Sequence, residues 1–191
     1  LLGLVVVSLI LRLYASDANA DNSAPVLDNS GTTSLTGINE DNTNSAGNTI
    51  AALLATAGDR ITEVDAGAIE GIAVIAVDNT NGAWQFSTNG GTNWSNFGTP
   101  TTAAARLLGA DSNNNKVRFV PGLNFNGTVN PGITFHAWDQ ATGTNGSTAN
   151  ISGGGATGGI TAYSTATETA AIAVAPVNDA PVLDNSGTMS L

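Results

Sequence analysis

The chain has 191 residues, only 10% of them charged, and sets 15 acidic side chains against five basic ones for a net charge of −10. So acidic a surface offers no footprint for phosphate, which argues against nucleic acid as a partner and suits divalent cations or simple solubility. Cysteine is absent, so in an oxidising setting the fold would be held by its core, by metal or by neighbours rather than by disulfides.

Residues 1–14, LLGLVVVSLILRLY, are apolar apart from Ser8 and Arg12. They fall short of the roughly 20 residues needed to span a bilayer. Three readings stay open. As a strand, Val5, Val7, Leu9, Leu11 and Leu13 share one face and could complete a neighbour's sheet as a donor strand. As a helix, the segment is apolar nearly all round. As a signal-peptide remnant, it ends in the small-x-small site Ala18-Asn19-Ala20. Residues 1–23 are read as an apolar arm and hinge, with membrane contact only if the arm is retained as an anchor.

Residues 26–27 and 33–38 read as short strands around the turn Asp28-Asn29-Ser30-Gly31. Residues 39–48 form a polar loop carrying Glu40 and Asp41, and residues 49–56 a helical turn. Glu63 and Asp65 follow in an acidic loop after Asp59. Residues 72–77, 83–88 and 92–97, separated by Asn81-Gly82 and Asn89-Gly90-Gly91, predict a three-stranded meander. Residues 103–108 suggest another helical turn. Strands are expected at 117–120 and 133–138, the latter alternating Ile133, Phe135 and Ala137 against Thr134, His136 and Trp138. Residues 140–159 are a long Gly/Thr/Ser loop. Residues 160–164 and 167–175 close the unit, with Ile172 and Val174 pointing inward. Many short strands between frequent turns predict an all-β, two-sheet sandwich.

The segment APVLDNSGTTSL at 24–35 returns as APVLDNSGTMSL at 180–191, an offset of 156 residues (180 − 24), and the copies differ only at Thr33 and Met189. So close a copy at so long a period predicts an array. Residues 24–179 are one full unit. Residues 180–191 are the first strand of the next, within one polypeptide or by head-to-tail assembly.

Trp84, Trp94 and Trp138 fit core or sheet-face positions. His136 has no second histidine, cysteine or nucleophile near it in sequence. No nucleophile–base pair or phosphate-cradling glycine loop is visible, so an enzyme is not expected and no catalytic residue is assigned.

Asn178-Asp179-Ala180-Pro181 resembles the linker between cadherin domains. Glu40, the loop Glu63-Val64-Asp65-Ala66-Gly67 and the late element Ala137-Trp138-Asp139 extend the pattern. Together with GIAVIAVDNTNGAWQFSTNGGTNWSNFG and VRFVPGLNFNGTVNPGITFHAWD, they make residues 24–184 similar to the cadherin-like repeats of very large bacterial surface adhesins. The resemblance implies an Ig/cadherin-like Greek-key β-sandwich, secreted to the bacterial cell surface, with calcium at the joints between repeats. The implied ligands are Glu40, Asn178 and Asp179 at the C-terminal joint and Glu63, Asp65 and Asp139 at the N-terminal one. Two departures bear on this. Glu63 stands where Asp is usual, and the first linker reads Asn22-Ser23-Ala24-Pro25, with Ser where the second has Asp179. The N-terminal joint is therefore expected to be metal-poor or built differently. The expected function is structural, a repeat unit of an extracellular fibre or adhesin whose partners are neighbouring copies of itself. The alternative is an adhesive module that holds a cell-surface glycan or receptor through the Trp-bearing strands and the 140–159 loop.

Overall fold

The computed structural model describes residues 22–183, except 57, 59 and 64, together with 186 and 187. The arm expected over residues 1–21 lies outside the described residues. Among the described residues the structure is all-β apart from one short helix, with two sheets packed face to face.

The smaller sheet orders β4 (Asn48–Thr49), β10 (Lys116–Pro121), β7 (Gly82–Ser87) and β8 (Ser95–Asn96). The larger orders β12 (Thr148–Ala149), β9 (Ala105–Gly109), β6 (Gly71–Val77), β11 (Gly127–Trp138), β13 (Tyr163–Ala175) and β2 (Thr33–Ser34), and β3 (Ile38–Asn39) also pairs with β13. A separate small ribbon joins β1 (Val26–Leu27) to β5 (Ile61–Thr62). The helix α1 (Ile50–Ala55) is capped by Thr49, whose side chain accepts from the Ala52 amide, satisfying one of the donors a helix start leaves open.

Alternation builds the core. Trp84 and Phe86 of β7, with Val117 and Phe119 of β10, meet Ile133 and Phe135 of β11, Ile72 and Val74 of β6, and Ile172 and Val174 of β13. The expected inward pair Ile172 and Val174 is buried as read, and so is the Ile133, Phe135 and Ala137 face. The opposite face is buried as well. Trp138, Ala73, Ala105 and Leu107 pack beneath Ile151, Ala162 and Tyr163. The 140–159 segment is thus a fitted cover over the large sheet, tied by Leu107 N–H to Ser147 O (3.0 Å) and Ile151 N–H to Thr102 O (2.7 Å).

Three local expectations are corrected. Residues 72–77 and 83–88 do not form a hairpin. β6 pairs with β9 and β11 while β7 pairs with β10 and β8, so the chain crosses between sheets at Asn81-Gly82. Gly90 and Gly91, at the β7–β8 turn, adopt positive φ but Gly82 does not, so it lacks the backbone that a tight primed hairpin turn demands. Residues 105–109 form a strand, not a helical turn. ARLLG is apolar on both sides because both faces of its sheet are covered, and this erases the period-two signal. Ile160 lies outside any strand and is exposed.

The last strand sets the long axis. Before it starts, the Ala24 amide bonds Gly159 O (2.8 Å) and the Asp139 amide bonds Ala162 O (3.1 Å). At its end, the Glu40 amide bonds Ala175 O (3.0 Å). Thr33 and Ile38 lie parallel to β13, opposite Ala170 and Val174. The first stretch of the unit and its last strand therefore run side by side in the same direction. The chain enters at one pole and leaves at the other, separated by a strand of 13 residues, or about 40 Å.

Candidate functional site

Each pole gathers carboxylates. At the entry pole, Asn22 donates from Nδ2 to Asp139 Oδ2 (2.9 Å) and to Thr161 O (3.0 Å), and the Ser23 amide donates to Asp65 Oδ2 (2.7 Å). Asp139 is buried, and its other oxygen accepts from the Ala141 amide (2.8 Å). Glu63 lies among these groups. Burial first, then the negative charges of Asp139, Asp65 and Glu70, push its carboxyl up to about 7. Both Glu63 oxygens are shielded from solvent and have no hydrogen-bond partner. The three acids expected at the N-terminal joint are thus brought together, although they come from segments more than seventy residues apart in sequence.

At the exit pole, Glu40 is buried and doubly held. The Val177 amide donates to Oε1 (2.5 Å) and Asn126 Nδ2 donates to Oε2 (3.0 Å). These contacts, the Val177 amide first, keep its carboxyl below the usual range. They also fasten the departing chain to the body of the sandwich. Asn178 and Asp179 follow at once and are exposed. Glu40, Asn178 and Asp179 therefore share one pole, with Glu40 facing the backbone that leads to the other two.

The chemistry of a hard dication fits these donors unequally. A buried carboxylate without a partner beside other carboxylates is costly, and a divalent cation is the natural compensation. Glu63 meets that description. Asp65 and Asp139, by contrast, already accept amide donors. Among the described residues, no three Asp, Glu or His side chains form a group able to hold a metal ion as they stand.

Three contributors escaped the motif reading. Asn22 was recoverable, since the 156-residue offset maps it onto Asn178. Asn126 carried no signal because its contact with Glu40 depends on long-range folding, and Glu70, although close to Glu63 in sequence, lies outside the motif elements.

The aromatic residues divide differently. Trp84 and Trp138 are fully buried, and the Trp138 indole donates to Thr142 O (2.8 Å). Trp94 is half-buried, with the Arg118 guanidinium 4.2 Å above its ring. Arg118 in turn donates to Gln85 Oε1 (2.8 Å) and Asn44 Oδ1 (2.9 Å). His136 is buried, with Nδ1 2.8 Å from Ser164 O. No helix among the described residues is long and apolar enough to cross a membrane. No family model, curated protein or solved structure matches the chain.

Proposed function

We propose that the chain is a structural repeat unit of an extracellular bacterial fibre or adhesin. In this reading it is an Ig/cadherin-like Greek-key sandwich joined head to tail to neighbouring copies, by strand pairing at the tail and by calcium at the joints. The observation that carries the reading is the placement of entry and exit at opposite ends of β13, each beside its own carboxylates. A unit wired in this way passes tension along its long axis.

The repeat supplies the rest of the geometry. Asn178 and Asp179 are the equivalents of Asn22 and Ser23, so the contacts of Asn22 with Asp139 and of Ser23 with Asp65 are templates for the next joint. Calcium takes 6–8 oxygens. Glu40, Asn178 and Asp179 would supply some, and the next unit's counterparts of Glu63, Asp65 and Asp139 the others. Shared between units, the ion would stiffen a short linker. Ser23 leaves this unit's own entry joint one carboxylate poorer than its exit joint.

The tail has a destination under either form of assembly. Leu27 is 5% exposed and its counterpart Leu183 is 86% exposed, so the same sequence is core in one copy and unburied in the other. In either form Met189 stands where Thr33 is buried, and a longer side chain in a filled site costs about 1–3 kcal/mol.

The test is calorimetry of the chain continued past residue 191 by residues 36–179 of a second copy. At about 100 times the dissociation constant, calcium should add ~2.7 kcal/mol of stability. Asp179→Asn should remove most of that gain. Identical melting in calcium and in chelator, with no binding heat, would refute the calcium joint.

A further inference from the structure

Among the described residues, the exposed large apolar side chains are Val26, Ile69, Leu123, Ile160, Val182 and Leu183. A single exposed aliphatic residue is ordinary; their distribution is not. Ile160 (74% exposed) follows Gly159, whose carbonyl receives the entering Ala24 amide. Ile69 lies two residues before Gly71, which pairs with Trp138 at that same pole. Val26 follows the entry contact. Leu123 (96% exposed) belongs to the loop that ends in Asn126, the donor to Glu40 at the exit pole. Val182 and Leu183 lie on the tail itself.

The covalent tether fixes what comes opposite Leu123. Val177 is pinned to Glu40, and Ala180 is the counterpart of Ala24, whose amide bonds Gly159 O at 2.8 Å. Two residues, Asn178 and Asp179, separate Val177 from Ala180, so the three steps between them reach about 10 Å at most. The next unit's Gly159 must therefore come within about that distance of the first unit's exit pole, with Ile160 beside it.

We propose that Leu123 of one unit packs against Ile160 and Ile69 of the next. The joint is then a closed apolar contact bordered by carboxylates, and not a bare linker bridged by ions. The proposal rests on the head-to-tail reading and adds to it a part of the joint that needs no cation. Its partner is a second copy of this chain, placed by the 156-residue period.

Because the chain has no cysteine, one engineered pair reports the contact without background. In the chain continued by residues 36–179 of a second copy, Leu123→Cys is placed in the first unit and Ile160→Cys in the second. Both positions are exposed, so neither change burdens folding. A short bismaleimide should join this pair about tenfold or more faster than Leu123→Cys and Ile160→Cys placed in one unit, where they lie at opposite poles. The yield should be the same in calcium and in chelator. A doubled β-sheet signal with crosslinking no better than the same-unit pair overturns the apolar contact and leaves the array standing. A second unit that fails to fold overturns the array, and the contact with it.

Discussion

Trp84→Ala should destabilise the unit by about 3–5 kcal/mol, read as a lowered urea midpoint with an unchanged slope. The indole is fully buried. It lies against Phe119 with ring centroids 5.1 Å apart and tilted by 51°. It also reaches across to the other sheet: a Cβ added at Gly132, which lies within β11, would come 2.6 Å from Trp84 Cζ2. The ring therefore fills the gap between the sheets up to the opposing backbone, and its removal leaves a cavity that rigid strands cannot close. With total stabilities of about 5–15 kcal/mol for such domains, the loss is a large share of the whole. Trp84→Phe should cost much less, because the buried indole N–H has no partner and its removal relieves an unmet donor. A loss below about 1 kcal/mol for the alanine variant would mean that the ring does not join the sheets.

The second large effect is a dependence on pH set by Glu63. Its carboxyl titrates near 7 in the fold, against 4.5 for an ordinary glutamate. Between those values the folded chain holds a proton that the unfolded chain has released. Stability present below pH 4.5 is therefore lost as pH rises through 7, and stays lost above it. The full shift corresponds to roughly 3 kcal/mol, and solvent screening around a residue that is only partly buried reduces this to about 1–2 kcal/mol. Glu63→Gln should flatten the profile and be the more stable form at pH 8. Urea unfolding at pH 5 and pH 8 measures both. A variant with the parent's pH slope would show that Glu63 is not the group responsible. Calcium at this pole would act the other way, favouring the carboxylate and restoring stability at high pH.

Much of this was legible where one face is apolar and the other is not. Residues 133–138 are legible as a strand by alternation and 167–175 by the inward pair Ile172 and Val174, with 117–120 as a short strand and 49–56 as a helical turn. Legibility failed where burial is two-sided, as in 105–109, and where a turn signal marks a change of sheet, as at Asn81-Gly82. The 140–159 loop looked like a free binding surface because glycine and threonine carry no periodicity. Only the fold reveals Ile151 as the residue that seats it on the sheet. At the poles, the grouping of Glu63, Asp65 and Asp139 was available from motif resemblance. Asn126 was not, since only long-range folding brings it to Glu40, and Glu70, although near Glu63 in sequence, lies outside the motif elements.

The head-to-tail account is tested most directly by small-angle X-ray scattering from the single chain and from the chain continued by a second copy of residues 36–179. Units stacked pole to pole along β13 should lengthen the particle by about 40–50 Å while its cross-section stays constant. A two-unit particle that widens without lengthening, with the copies side by side, would contradict it.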